Sequence, residues 1–162
     1  IGEIGIKGVY LFEGYFGLDD LTNKRLIEGI YYTRDLGFLK DDELYVLGRI
    51  DDVIIIQGRN VYSHQIEEIL TSINGLKPGR SCAFGVYDKK MGSEALYLIC
   101  EKDKKNLSRE EIELIKREIR NILFSKLLII PKVIKIVEQK WLVKTSSGKI
   151  DRKENKLKYL RL

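Results

Sequence analysis

Apolar residues fall into two textures along the chain, and the change comes at Asp51-Asp52. Upstream, short apolar pieces alternate with Gly2, Gly5, Gly8, Gly14, Gly17, Gly29, Gly37 and Gly48, a spacing that predicts short β strands and turns. Glu43-Leu44-Tyr45-Val46-Leu47 reads as the best formed of these strands. Residues 1–50 are too few and too glycine-rich to bury a core alone. They are expected to be the edge of a larger domain that the chain does not include.

Downstream, the pattern is that of a core. Val53-Ile54-Ile55-Ile56 is a β-branched strand, and Gln57-Gly58-Arg59-Asn60 reads as a turn. Ser63 is placed to cap a helix running to about Ser72, with Ile66, Ile69 and Leu70 on one face. His64 is read as a helix-start residue with no chemical role. Cys82-Ala83-Phe84-Gly85-Val86-Tyr87 and Ala95-Leu96-Tyr97-Leu98-Ile99-Cys100 predict two strands around a polar connection. Ser108 and Glu111 form a capping box that opens a helix with Ile112, Ile115, Ile119 and Ile122 along one stripe. Val133 to Val137 predicts a further strand, followed by a basic loop and a short terminal helix. The expected fold class is α+β: a small C-terminal domain, residues 51–162, with a central sheet of about three strands, a β-hairpin and flanking helices. Strands from the end of a larger N-terminal domain, residues 1–50, precede it.

Composition narrows the function classes. With 44% apolar and 33% charged residues the chain is ordinary for a soluble globular protein. No apolar run is long enough to span a bilayer, and the opening Ile1-Gly2-Glu3 is unlike a signal peptide. The missing initiator methionine suggests a piece of a longer protein. Cys82 and Cys100 lie in separate apolar runs and are expected to be buried thiols, which suits a cytoplasmic location. His64 is the only imidazole and no CxxC occurs, so no protein-held metal is expected. Residues 132–162 hold ten Lys or Arg against three Asp or Glu, a net +7, while the whole chain is +5. Such an end favours an anionic partner. Nucleic acid is the weaker choice, because aromatic interleaving and helix-turn-helix or zinc-finger patterns are lacking.

The basic end contains Lys144-Thr145-Ser146-Ser147-Gly148-Lys149-Ile150-Asp151-Arg152. Small hydroxyl residues and one glycine suggest a mobile strip that ends in a single long cation. The run is not a phosphate-binding P-loop, since Val143 and Ile150 occupy the places where that motif needs Gly and Ser or Thr. By itself it reads either as an anion-directed loop or as a solvated basic loop before the terminal helix.

Tyr32-Thr33-Arg34-Asp35-Leu36-Gly37, then Gly48-Arg49-Ile50-Asp51-Asp52-Val53-Ile54-Ile55, then the Lys149 run occur in one order. Together with Gly2 to Gly8 and Gly14-Tyr15-Phe16 they resemble the acyl-adenylate-forming enzymes: acyl-CoA synthetases, fatty acyl-AMP ligases and peptide-synthetase adenylation domains. Gly58-Arg59-Asn60-Val61-Tyr62-Ser63, with Ile66-Glu67 after it, is most similar to the fatty acyl-AMP ligases. Pro78 to Phe84 and Asn155 to Tyr159 lean the same way. The chain departs from the family pattern in four places. Arg34 stands where glycine is usual, Ser63 and Val143 stand where proline is usual, and Asp51 is more typical of acyl-CoA synthetases.

The resemblance implies a site. Lys149 would bridge carboxylate and phosphate oxygens as adenylation proceeds. Asp35 would accept hydrogen bonds from both ribose hydroxyls, a task for a carboxylate that only accepts. Arg49 would assist at the ribose or phosphate side, Asp51 would mark the hinge of the small domain, and Gly58 would lie where a thiol arm enters. Plainer readings stand beside these: a turn-capping aspartate for Asp35, a strand-end ion pair for Arg49, a capping aspartate for Asp51, a hairpin turn for Gly58. Trp141 and Tyr159 are expected to pack the basic segment down. The implied cofactors are ATP and Mg2+. The implied partners are a fatty acid or other carboxylic acid, an acyl carrier protein or CoA, and the absent N-terminal domain. The implied activity is an AMP-forming acyl ligase, with this piece inactive alone. An acyl-CoA synthetase and a non-catalytic basic module for an anionic partner are the alternatives.

Overall fold

The computed structural model describes residues 1–104 and 106–161. The chain divides into two compact units, Ile1–Asp51 and Asp52–Leu162.

In the first unit, β1 (Gly2–Ile6) is followed by helix α1 (Asp19–Arg25), β2 (Leu26–Ile27), β3 (Ile30–Lys40) and β4 (Glu43–Arg49). The long β3 is the spine, and β1, β2 and β4 all pair with it antiparallel. Two tight turns set the registers. Glu28-Gly29 joins β2 to β3 and Asp41-Asp42 joins β3 to β4, each with both residues at positive φ. This is the backbone twist that suits a two-residue hairpin. Helix α1 was not legible in the glycine-punctuated sequence. Asp19 and Asp20 in its first turn and Lys24 and Arg25 in its last complement the helix dipole. Among the described residues, no large apolar side chain of this unit is buried, and Val9, Tyr10 and Phe16 are at least nine-tenths exposed.

The second unit holds hairpin β5 (Val53–Ile56) and β6 (Arg59–Tyr62), helix α2 (Ser63–Leu70), β7 (Leu76–Asp88), β8 (Ser93–Lys102), helix α3 (Arg109–Leu127), β9 (Val133–Val137) and helix α4 (Arg152–Leu160). The central sheet has three strands in the order β7-β8-β9. β7 and β8 are antiparallel, and β9 joins β8 in parallel after the α3 crossover. Alternation along β7 and β8 gives each face its own core. Ala83, Leu96, Leu98 and Cys100 face Ile66 and Leu70 of α2, Ile115, Ile119 and Leu123 of α3, and Ile54 and Val61 of the hairpin. Cys82, Phe84 and Ile99 face Leu142, with Tyr97, Trp141, Ile150 and Tyr159 packed around them. The two cysteines therefore lie on opposite faces, both buried and free. Burial pushes the Cys100 thiol up to about 12.

Ser108 and Glu111 make the expected capping box. Two local readings differ. The turn is Gln57-Gly58 alone, and Arg59 and Asn60 already pair in β6. Ser63 is the first residue of α2, not its cap: Tyr62 occupies the cap position, and the Ser63 hydroxyl instead donates to the Asp52 carbonyl at 2.8 Å.

Amide exchange on the isolated chain should separate the units, because only the second has buried apolar side chains. Amides of β7 and β8 are expected to exchange orders of magnitude more slowly than those of β1, β3 and β4. Equal protection in both sets would show that residues 1–50 form a core of their own.

Candidate functional site

The Lys149 run is a hydrogen-bonded hairpin, where composition alone had suggested a loose strip. Lys144 and Ile150 form an antiparallel bridge. The Thr145 amide donates to the Lys149 carbonyl at 2.8 Å, and the Gly148 amide donates to the Thr145 carbonyl at 2.9 Å. Gly148 adopts φ +83°, the left-handed conformation that closes a three-residue hairpin loop. The Thr145 hydroxyl lies 3.0 Å from the Ser147 hydroxyl and accepts the Lys149 amide at 3.2 Å. The hydroxyl side chains are thus part of the loop's own hydrogen bonding. Lys149 is exposed, and among the described residues no carboxylate lies within ion-pair distance of it.

Two buried polar side chains hold the arm that leads into this hairpin. Asn155 of α4 has no solvent exposure. Its Oδ1 accepts from the Val143 amide at 2.9 Å, and its Nδ2 donates to the Val143 carbonyl at 2.9 Å and to the Asp151 carbonyl at 2.7 Å. Glu101 of β8 is likewise fully buried. It receives the Leu142 amide at 2.8 Å and both Nε and a terminal nitrogen of Arg80 at 2.8 Å. Burial pushes the Glu101 carboxyl up, but these donors outweigh it and hold the group below the ordinary carboxylate value.

Arg152 anchors the far side of the hairpin. Its Nε donates to Glu67 of α2 at 2.9 Å, a terminal nitrogen donates to the other Glu67 oxygen, and Nη1 donates to Asp52 at 2.7 Å. Burial pulls the Arg152 pKa down; Glu67 and Asp52 more than offset this, and the guanidinium is held above its ordinary value. Trp141 and Tyr159 pack the basic segment. Lys158 stands 4.1 Å over the Trp141 ring and donates to its carbonyl at 2.6 Å, and Lys135 stands over Tyr159.

Asp35, Arg49 and Asp51 lie in the first unit, Gly58 and Lys149 in the second. Asp35 and Arg49 are cross-strand partners in β3 and β4, with Arg49 Nε 3.7 Å from an Asp35 oxygen and both side chains accessible. Thr33 stabilises the irregular pairing of β3 with β1: its hydroxyl donates to the Ile4 carbonyl at 2.9 Å and accepts the Asp35 amide at 3.0 Å. Arg34 adopts φ +68°, and its amide donates to Glu3 at 2.8 Å. Its guanidinium reaches Asp51 at 2.5 Å, and this hydrogen bond holds the Asp51 carboxyl below its ordinary value. Gly58, at φ +77°, has no atom within 4 Å of where a Cβ would stand. Its hairpin is tied to β8 by the Ile55 amide on Glu94 at 2.8 Å and the Gln57 amide on Ser93 at 2.7 Å.

Sequence reasoning missed Asn155, Glu101 and Glu67 as supports. Glu101 had a faint signal, since it continues the inward alternation of Tyr97 and Ile99. Asn155 had one in its position one turn before Tyr159, on the face of α4 that packs inward.

No family model matches the chain. It is 36% identical over 158 residues to a 2-succinylbenzoate–CoA ligase of Listeria monocytogenes, covering 97% of this chain and 31% of that enzyme. It is 32% identical over 169 residues to the medium-chain-fatty-acid–[acyl-carrier-protein] ligase JamA of Moorena producens, covering 99% of this chain and 28% of that enzyme. A structure from a study of fatty acyl-adenylate ligases of E. coli and L. pneumophila superposes on 99% of this chain and 27% of its own length. Its TM-score is 0.81 and its identity 30%. The chain is a homologue of the C-terminal portion of the acyl-adenylate-forming ligases. It spans about a third or less of the length of the enzymes it matches. Its α+β architecture is that of their C-terminal domain.

The substitution Arg34→Gly tests the pairing in the first unit. A left-handed backbone costs an L residue about 1–2 kcal/mol, and an exposed ion pair contributes about 0–1 kcal/mol. Stability at neutral pH is therefore expected to stay within about 1 kcal/mol of the parent or to rise. A depressed carboxyl pKa stabilises the fold above the unfolded value of 3.8, and that contribution is lost as pH falls through the folded value. Any advantage of the glycine variant should grow below that range. An NMR titration should show the Asp51 carboxyl returning to its ordinary range; an unmoved Asp51 would show that Arg34 is not the cause.

Proposed function

We propose that this chain is the C-terminal part of an ATP-dependent ligase that forms a fatty acyl-AMP and passes the acyl group to the thiol of an acyl carrier protein. The observation that carries the reading is Lys149, an accessible cation with no carboxylate partner among the described residues, presented by a hairpin whose base is held by buried polar groups. In adenylation a carboxylate oxygen attacks the α-phosphorus of ATP, a C–O–P linkage forms, and the bond to the β-phosphate breaks to release pyrophosphate. Negative charge accumulates at the reacting centre, and a preplaced ammonium stabilises it. Lys149 has that role here.

Asp35 supplies acceptor oxygens for the ribose hydroxyls, and Arg49 steers that carboxylate and the nucleotide's negative charge. Both remain accessible in their cross-strand pair. Asp51 marks the hinge. In support of this, the two compact units divide at Asp51 and Asp52, and each of these residues is held within its own unit, Asp51 by Arg34 and Asp52 by Arg152. Gly58 forms a tight turn with open space above it, which suits close passage of a pantetheine arm. Among the described residues no group of three or more His, Cys, Asp or Glu is arranged to hold a metal. Mg2+ is proposed to accompany the phosphates of ATP. No helix of the described residues is long and apolar enough to cross a membrane, and the two buried thiols suit a reducing, cytoplasmic setting.

An acyl-CoA synthetase is the second reading. The Listeria relative and Asp51 favour it; the Gly58 to Tyr62 run and the Moorena relative favour the carrier protein. A purely binding module has no use for Asp35, Arg49 and Lys149 together. The chain alone, about a third or less of its relatives' length, is expected to release no pyrophosphate from ATP and a fatty acid.

In the complete ligase, Lys149→Ala should reduce acyl-AMP formation by on the order of 10²-fold or more without unfolding the domain. The side chain is exposed and takes no part in either core. Pyrophosphate release with ATP and a fatty acid measures this. Near-normal release from a folded variant removes Lys149 from the chemistry.

The choice of acceptor is tested by offering holo-carrier and CoA separately to the complete enzyme. Transfer to the carrier is expected to dominate and to slow as salt rises, since such steering is screened over roughly 8 Å at physiological ionic strength. Charge reversal at Lys153 and Lys156 should mimic high salt while leaving adenylation unchanged. Lys158 is unsuited to this test because it is spent on Trp141. Efficient acyl-CoA formation would promote the CoA synthetase.

A further inference from the structure

The hairpin that carries Lys149 is hydrogen-bonded internally, and its far arm is held by Ile150 packed on the second core and by Arg152 on Glu67 and Asp52. Its near arm is fixed at the two residues before Lys144. The Leu142 amide ends on Glu101, and both polar groups of Val143 are engaged by Asn155. Asn155 meets Val143 as a neighbouring strand would, accepting from its N–H and donating to its C=O. The same Nδ2 donates to the Asp151 carbonyl, and the Asp151 amide donates to the Val143 carbonyl at 3.1 Å. One side chain therefore ties both arms of the hairpin together. No buried side-chain nitrogen or oxygen among the described residues lacks a partner. An apolar residue of similar size at position 155 would fill the same space beneath α4, so packing alone does not require an amide there. What the amide adds is register: it allows only one placement of the Val143 peptide.

We infer that Asn155 is a positioning residue for Lys149, with Glu101 as its support one peptide upstream. Asn155 fixes the hairpin base, and through it the place from which the ammonium is presented. The inference rests on the role of Lys149 proposed above. Asn155 is itself fully buried and acts only through the hairpin. Its loss should lower the rate of the chemical step and leave substrate affinity alone, because a cation displaced by about 1 Å costs on the order of 10²-fold in rate.

The test uses Asn155→Ala in two settings, amide exchange on this chain and steady-state pyrophosphate release by the complete ligase. Amides of Thr145, Gly148 and Lys149 are expected to exchange about tenfold faster or more, with protection of β7 and β8 unchanged. The kcat for adenylation is expected to fall ~10–100-fold, with KM for ATP and for the carboxylic acid within about twofold of the parent. If the alanine variant loses β7–β8 protection, Asn155→Asp is read in its place. Aspartate keeps the size and the acceptor for Val143 and sets a carboxylate against the two carbonyls. Loss of sheet protection in both variants overturns the inference in favour of a purely structural role. An unchanged kcat, or hairpin exchange like the parent's, in a folded variant overturns it as well. Lys149→Ala run alongside separates the two failures. If Lys149→Ala abolishes adenylation while Asn155→Ala does not impair it, only the positioning role falls. If Lys149→Ala is itself without effect, the role of the lysine falls and the inference with it.

Discussion

A carboxylate removed entirely from water is costly unless it is paired and hydrogen-bonded, and Glu101 is both: each of its oxygens accepts from Arg80, and one also accepts the Leu142 amide. The second face of the central sheet depends on this arrangement. That face has no long amphipathic helix to cover it, unlike the first, which has α3. It is covered by irregular chain at Trp141 and Leu142, by Ile150 at the end of the hairpin and by the short α4. Irregular backbone over a core must find partners for its polar groups. Glu101 and Asn155 provide them at consecutive peptides, Leu142 and Val143. The loop that carries the candidate cation is therefore placed by specific hydrogen bonds, and the aromatic cluster of Phe84, Tyr97, Trp141 and Tyr159 excludes water around them.

The same economy governs the junction of the two units. Asp51 and Asp52 are neighbours in sequence, yet each has a separate arginine in its own unit. Arg152 shares itself between Asp52 and Glu67, and Glu67 also accepts the Ala83 amide at 3.0 Å. The residue that ends the Lys149 hairpin thus also organises the start of the second unit and helix α2. Arg34 gives the first unit a contact that glycine could not make, at the expense of a left-handed backbone.

What the sequence revealed was whatever repeats at short range. The apolar runs at Cys82–Tyr87 and Ala95–Cys100 and the Ser108–Glu111 box involve neighbours within one turn or one strand: both runs lie inside the longer strands β7 and β8, and the box is found as read. The stripe of α3 is found in part, since Ile115 and Ile119 are buried with Leu123, and Ile122 only partly. Helix α1 buries no residue, so its seven positions carry no apolar stripe to detect. Strand β6 begins with Arg59-Asn60, which looks like a turn because polar residues at an exposed edge resemble polar residues in a loop. Ser63 resembles a cap by type, but a contact with Asp52 decides its role. The candidate residues themselves were legible as motifs. Their supports, Asn155, Glu101 and Glu67, reach the arm through partners such as Val143, Leu142 and Arg152 that lie 12, 41 and 85 residues away, and no local pattern marks such pairs.

Net charge also reads differently once partners are assigned. Of the ten cations in residues 132–162, Lys132 pairs with Asp88 and Arg152 with Asp52 and Glu67. Lys135 and Lys158 stand over Tyr159 and Trp141. Four of the ten are thus committed to partners within the second unit. Ion pairing neutralises a cation's distant field, whereas an aromatic face does not, so the outward potential is smaller than the net +7 implies but is not abolished. The remaining Lys140, Lys144, Lys149, Lys153, Lys156 and Arg161 supply most of what an anionic partner would meet. Lys144 and Lys149 differ from the other four in one respect. Both stand on the hairpin whose arms bridge at Lys144 and Ile150 and whose base is anchored through Val143 to buried Asn155, and Lys149 is the one that directly follows the Gly148 turn. A diffuse basic surface attracts anions without orienting them, and a single cation on a fixed arm can do both.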